Sequence, residues 1–360
     1  MAMKSWPDNR IQTLFGIELP IILAPMAGPV LSDMVIAVSE AGGLGSLPCA
    51  LLTADQIRNE LTTIRQRTAR PINLNFFCHR PPAPNKTREE QWRKRLETYY
   101  VEFGIDPLAP VPTSNRTPFD ESMCDLVAEW KPEVVSFHFG LPTRELIDRV
   151  KATGTKIMSS ATTVDEARWL EDEGCDVIIA QGAEAGGHRG MFLSDSVATQ
   201  VGTIALVPQV VDAVKVPVIA AGGIGDARGI VAAFVLGASA VQLGTIYMFS
   251  PEAKLSVPHR EALKKAKDNS TAITNVFTGR PARSIVNRLV QEVGPMSDSA
   301  PAFPLAGGAL TPLRAKTEPQ GSGDFMSLWS GQAARFGREL PAGELTRILA
   351  QETLARLSAL

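Results

Sequence analysis

A lone histidine stands just past a short apolar run, in the segment Ala180-Gln181-Gly182-Ala183-Glu184-Ala185-Gly186-Gly187-His188-Arg189-Gly190. Imidazole is the side chain whose ordinary pKa lies nearest neutrality, so a histidine presented at a turn can hold or move a proton. Gly186 and Gly187 strip the turn of side chains, which permits positive φ and a close backbone approach to a flat ligand. Val177 to Ala180, the run before the turn, reads as a strand buried on both faces of a parallel sheet. A second histidine, His138, ends the run Ser136-Phe137-His138-Phe139-Gly140 and is expected to face His188 across a common mouth. His79 and His259 fall in irregular stretches and read as surface residues. Glu184 is placed to orient Arg189 or His188.

Two further strand ends pass into glycine turns, Ala220-Ala221-Gly222-Gly223-Ile224-Gly225-Asp226 and Val241-Gln242-Leu243-Gly244-Thr245. Each frees backbone N–H groups near a helix start, where amides and the helix dipole attract an anion, so the pair predicts a phosphate site. Gly223-x-Gly225 lacks the later glycine of a dinucleotide-binding fingerprint and comes late in the chain, which rules that reading out. Ala24-Pro25-Met26-Ala27-Gly28 has short side chains that leave room for a planar ring. Asn73 and Asn75 share one strand face by two-residue alternation and offer amides to a heterocycle, and Gln181 ends its own strand. A phosphate turn, a flat slot and a polar rim together suit flavin mononucleotide, FMN.

These residues need elements to hold them. Eight short apolar runs read as strands: Pro20 to Met26, Gly43 to Leu47, Pro71 to Phe77, Val134 to Gly140, Lys156 to Ala161, Val177 to Gly182, Val216 to Gly223 and Ala240 to Thr245. Helix signals lie between them, including the capping box Thr163-Val164-Asp165-Glu166, the start at Ser32 and the cap at Asp226. Strand and helix alternating eight times over short connections predict an α/β fold, a (β/α)8 TIM barrel whose active site sits at the C-terminal strand ends. Residues 1–249 form this core, with an excursion at 78–132 that begins in the proline-rich stretch Arg80 to Pro84. Residues 250–340 are expected to form a mostly helical lid or substrate subdomain, and 341–360 a helix that returns to the barrel.

Composition narrows the function. With 360 residues, 44% hydrophobic and 21% charged, the chain can bury a large core. Its formal charge of -2 carries no block of like charges, which argues against nucleic acid or an anionic membrane as partner. Cys49, Cys78, Cys124 and Cys175 are widely spaced, with neither a CxxC pair nor a metal-ligand pattern, so no metal site or disulfide framework is expected. Cys175 precedes its strand, at the wrong barrel end for a nucleophile, and reads as a packed thiol. The opening MAMKSWPDNR has no apolar signal core, and a reducing cytoplasm is the expected compartment.

The motifs APMAG, NLNFF, SFHFG, AQGAEAGGHRG, AAGGIGDARG and VQLGT, from Ile21 to about Thr245, resemble the nitronate monooxygenase family. The similarity resumes at Thr278 to Val290 and around Trp329 to Leu340. That resemblance implies FMN held by Asn73, Gln181, Gly186, Gly223 and the turn Gln242, Leu243, Gly244 and Thr245, with Asn73 preferred to Asn75; the reading of the residues adds Ala24, Pro25, Met26, Asn75, Gly187 and Gly222 to the expected cofactor contacts. It implies a catalytic His188 and a substrate-binding His138, acting on a nitronate with O2 to give a carbonyl compound and nitrite. An FMN- and NADPH-dependent enoyl-(acyl carrier protein) reductase shares the barrel and is the nearest alternative; a noncatalytic flavin-binding protein is the second.

Overall fold

The apolar runs become strands β1 (Ile21–Leu23), β2 (Gly45–Pro48), β3 (Ile72–Phe77), β4 (Val134–His138), β5 (Lys156–Ala161) and β6 (Val177–Gln181), then, after the two-residue strand β7 (Gly187–His188), β8 (Val218–Ala221) and β9 (Ala240–Leu243). They are seen in a computed structural model that describes residues 5–83, 85–112 and 116–359. Apart from β7, they form one parallel sheet in the order β1-β9-β8-β6-β5-β4-β3-β2. Leu44, at the edge of β2, bridges Ile22 of β1, with Leu23 N donating to Leu44 O (2.9 Å) and Leu44 N to Ile21 O (3.0 Å). The sheet thus closes into a (β/α)8 barrel.

Period-two alternation sorts the strand residues between two cores. Ile22, Val134, Val177, Ile179 and Ile219 turn inward and fill the barrel, where Ile11 and Phe15 of helix α1 (Arg10–Phe15) join them. Ile21, Leu74, Val135, Ile178, Val218 and Leu243 turn outward and pack on the helices. These are α2 (Ser32–Glu40) and α3 (Ala54–Arg67), then, after α4 (Lys86–Glu102), α5 (Glu121–Trp130), α6 (Arg144–Ala152), α7 (Val164–Asp172), α8 (Thr203–Ala213) and α9 (Ala227–Val235). Asp226 caps α9 as expected, accepting from the amides of Arg228 and Gly229. Thr163 caps α7, but the predicted box is only half made. Glu166 turns inward instead, accepting from Thr162 N and Oγ1 at one oxygen and from Phe192 N and Leu193 N at the other.

The excursion after β3 is shorter than the sequence indicates, because α5 packs beside α3 and α6 as an ordinary barrel helix. What departs from the barrel is α4 and its flanks, whose Trp92, Leu96 and Tyr100 form a separate core with Leu289, Ala306, Ala309, Leu310 and Leu313. Of the proline-rich stretch, Pro84 lies outside the described residues, as do Met1 to Lys4 at the N-terminus. After β9 come α10 (Val257–Lys265), the antiparallel pair β10 (Thr271–Thr274) and β11 (Ala282–Ile285), α11 (Arg288–Val293) and α12 (Thr311–Thr317). This packing of excursion on appendage buries His79 and His259, contrary to the surface reading: His79 sits among Phe77, Phe139 and Phe303, and His259 Nε2 lies 3.0 Å from Trp329 O. The last helix, α13 (Ala342–Leu357), packs between α9 and α2 and completes the helical ring.

Candidate active site

One cavity opens where the barrel strands end. Its wall takes Ala24 after β1, Leu51 after β2, Asn75 and Phe77 from β3, Ser136 and His138 from β4, Ser160 from β5, Gln181 from β6, Ala221 from β8 and Gln242 from β9. All eight barrel strands therefore contribute at the end where barrel chemistry is sited. The lining continues through Pro25, Met26, Gly186, Gly187, His188, Gly222, Gly223, Gly244 and Thr245, so most of the residues singled out in the sequence meet around one space.

Two do not line it. Asn73 is fully buried one layer below, with Nδ2 donating to Ser46 Oγ (3.0 Å) and Ser136 Oγ (2.9 Å). Asn75, two residues further along the same inward face, reaches the cavity, while Asn73 Oδ1 is buried without a hydrogen-bond partner. Leu243 follows the inward Gln242, so alternation turns its side chain out into the helix layer, where it is buried.

The side of the cavity where phosphate is expected is made of backbone. Gly222 and Gly223 hold φ of 110° and 69°, conformations that side-chain-bearing residues resist. The amides of Gly223, Ile224 and Thr245 donate to no acceptor among the described residues. Asp226 occupies the first amides of α9, so the anion-seeking groups are those of the turns themselves rather than the helix start. Gln242 Oε1 is buried without a hydrogen-bond partner, a costly state unless a ligand donor meets it. Unpaired amides at one end and an unpaired amide oxygen along the wall fit a flavin with a phosphate tail.

The histidine side is built differently. β7 leaves the barrel and pairs with β11, placing His188 opposite Ala282 and Gly187 opposite Arg283, and Arg189 N donates to Pro281 O (2.9 Å). Gly187 takes φ of 71°, as the turn requires. Gly186 is needed for another reason than ligand approach: a Cβ there would strike the backbone of Ser330 and Gly331. The His188 carbonyl accepts from Gln181 Nε2 (3.1 Å) and His138 Nε2 (3.2 Å), while Gln181 Oε1 takes the Gly190 amide (2.7 Å). Because a carbonyl only accepts, His138 carries its proton on Nε2 and takes the Ser160 hydroxyl at Nδ1 (3.1 Å). Both of its ring nitrogens are thus engaged.

Glu184 orients neither His188 nor Arg189; its carboxylate accepts from Thr203 N and Oγ1 at 2.8 to 3.0 Å. Arg189, with no exposed surface, donates to Gly182 O and Gln181 O (2.8 Å each) and to Gln200 Oε1 (2.8 Å), pinning the strand end that carries the turn. Burial pulls its guanidinium down to about 10, which leaves it charged at neutral pH.

The His188 ring lies among Phe77, Phe139, Phe303 and Trp329, at centroid distances of 6.1, 5.9, 5.2 and 5.2 Å. Nε2 stands 2.9 Å from Thr278 Oγ1. Burial first, then the positive charge of Arg116, holds His188 well below its usual pKa; burial likewise lowers His138 to about 3 and His79 to about 4. These imidazoles are neutral at neutral pH. Arg116 also lines the cavity. Phe303 and Arg116 carry no local sign, whereas Thr278, Trp329 and Gly331 fall in the stretches where the family similarity resumes. Cys175 is buried at the far strand end, a packed thiol as expected, and no group of potential metal ligands occurs among the described residues.

With this geometry in view, similarity to known proteins is informative. The family model described as nitronate monooxygenase matches residues 8–352. A nitronate monooxygenase of Pseudomonas aeruginosa is 40% identical over 348 residues, covering 96% of this chain and 99% of that protein. Among solved structures, a nitroalkane oxidase from Streptomyces ansochromogenes superposes with a TM-score of 0.89 at 38% identity, over 98% of this chain and 100% of that one. FabK from Thermotoga maritima is more distant, with a TM-score of 0.76 at 28% identity over 99% and 98% of the two chains.

Proposed function

The chain belongs to the nitronate monooxygenase family, and from that premise we propose that it is an FMN enzyme oxidising alkyl nitronates with O2 to a carbonyl compound and nitrite. The observation that carries this reading is the neutral imidazole of His188, set in an aromatic wall and facing a cavity whose opposite side is unpaired backbone amide. FMN, when bound, supplies the electron acceptor between nitronate and O2.

The chain's own groups do the rest. The amides of Gly223, Ile224 and Thr245 would hold the phosphate, and Gln242, Gln181 and Asn75 would meet the polar edge of the ring system. His188 would stabilise the negative oxygens of the nitronate where charge is redistributed. His138, with both nitrogens engaged, belongs to the substrate wall rather than to proton transfer. Phe77 and Trp329 would exclude water and accept an alkyl chain, with Phe139 and Phe303 packed around the His188 ring beside them. In this reading residues 1–249 are the cofactor barrel, 250–340 the substrate cover and 341–360 the closing helix. Among the described residues no helix is long and apolar enough to cross a membrane.

Purified yellow protein supplied with ethyl nitronate in air and no pyridine nucleotide is expected to consume O2 and release nitrite, and its extracted flavin is expected to be FMN. Bleaching of the flavin by NADPH without nitrite release would instead support the enoyl reductase reading. A flavin-binding protein without catalysis would do neither.

A further inference from the structure

His188 is held at its backbone by four contacts and at its ring by one. The backbone is fixed by β11 pairing, by the Pro281 carbonyl behind Arg189 N, and by the Gln181 and His138 donors on the His188 carbonyl. The ring meets a single hydrogen-bonding group, the hydroxyl of Thr278, 2.9 Å from Nε2. Nδ1 has no protein partner among the described residues, and the ring lines the cavity, so Nδ1 is the nitrogen left for a ligand.

Thr278 has one proton to give and two possible acceptors. Arg280 O stands 3.5 Å away, outside the 2.5–3.0 Å range of a good O–H···O bond, whereas His188 Nε2 is within reach. Thr278 is buried, with 3% of the residue exposed, which limits competition from water for the proton. A hydroxyl donating to Nε2 requires a lone pair there, which places the ring proton of a neutral imidazole on the other nitrogen.

We infer that Thr278 fixes His188 as its Nδ1–H tautomer, so that the imidazole presents an N–H, not a lone pair, to an anionic substrate oxygen. Thr278 is then a positioning residue that acts through His188 and never touches substrate. The appended segment supplies it, and this gives residues 278–283 a task beyond pairing with β7: the histidine comes from the barrel loop, its tautomer from the appendage. Low basicity follows as an advantage, since an N–H donor needs no added proton to serve an anion. The inference rests on the nitronate reading of the preceding section.

The test combines two variants with one spectrum. In the holoenzyme, 15N chemical shifts of the His188 ring, assigned by loss of the signal in His188→Asn, are expected to show a pyrrole-like Nδ1 and a pyridine-like Nε2. Thr278→Val is expected to lower kcat for ethyl nitronate about 10-fold, with KM and flavin content changed less than about 2-fold, because it removes the hydroxyl that sets the donor. Thr278→Ser is expected to restore kcat to within about 3-fold. A protonated Nε2 in the wild-type spectrum overturns the inference, and so does a Thr278→Val enzyme with wild-type kcat. Should Thr278→Val fail to fold, the wild-type spectrum and Thr278→Ser decide it. An active His188→Asn enzyme would sink the nitronate reading itself; an inactive one beside a fully active Thr278→Val would sink this inference alone.

Discussion

The two sides of the cavity are built on opposite plans. The side proposed to hold phosphate is built mainly from barrel strand ends, its candidate groups being the backbone amides after Gly222, Gly223 and Gly244, and the appendage touches it only where Gly331 N donates to Thr245 Oγ1 (2.9 Å). The histidine side uses side chains, and it is a joint between the barrel loop at 182–190 and segments that come ninety or more residues later, with Thr278 against the ring and Ser330 and Gly331 against Gly186. A backbone site needs only the right conformation at a few adjacent residues. A side-chain site must also be held from outside its own sequence neighbourhood, and here the appended sheet does the holding through β11 and β7.

The contrast can be broken by removing what is specific to each side. The largest effect is expected from Arg189→Met, which takes the Arg189 donor from the Gln181 carbonyl and from Gln200 Oε1, while the Gly182 carbonyl keeps the Ala185 amide (3.1 Å). Unsatisfied buried acceptors cost about 1–3 kcal/mol each, so a loss on the order of 3 kcal/mol should appear as a lower urea midpoint. An unchanged midpoint would show that the strand end holds itself. Gly222→Ala comes next. The backbone there is at φ 110°, and a Cβ would lie 3.0 Å from both Ala185 N and Gly182 O. The turn must move, and FMN affinity is expected to fall about 10-fold or more, a factor equivalent to about 1.4 kcal/mol, as read by equilibrium dialysis. Gly187→Ala sharpens the comparison from the other side: φ of 71° is strained for alanine by about 1–2 kcal/mol, yet no atom lies within 4 Å of the added Cβ. Turnover should drop while flavin stays bound, and flavin loss without a turnover defect would contradict the division of labour.

The last prediction concerns pH. His79, His138 and His188 are all held below the usual value near 6.5 by burial, so the folded chain keeps them neutral while the unfolded chain takes up protons first. Their contribution to stability is complete above about pH 6.5 and is lost as pH falls toward about 4 and then 3. Urea midpoints measured at pH 8, 7 and 5 should be level between the first two and lower at the third. Equal midpoints at all three would mean that these rings are not buried as described.

What could be read from sequence follows the same division. The eight strands, the closing helix α13, the phosphate turns and the histidine turn are local signals, since an apolar run, a glycine or a cap is written within a few residues of what it determines. Strand alternation was legible too: Leu243 faces out because Gln242 faces in, while Asn73 and Asn75 share a face at different depths. Phe303 carries no local mark, because what makes it part of the site is a fold-back of the appended segment. The burial of His79 and His259 was hidden for that reason. Glu166 shows how a local signal can be outbid, since its carboxylate leaves the capping box to satisfy four donors from two loops.

The central claim is that His188 acts on a nitronate beside a flavin held independently on the opposite side. Nitrite release from ethyl nitronate by His188→Asn, with bound FMN quantified in the same sample, tests it most directly. The account predicts full flavin content and turnover reduced about 100-fold or more; nitrite release at the wild-type rate, or loss of the flavin together with the histidine, would contradict it.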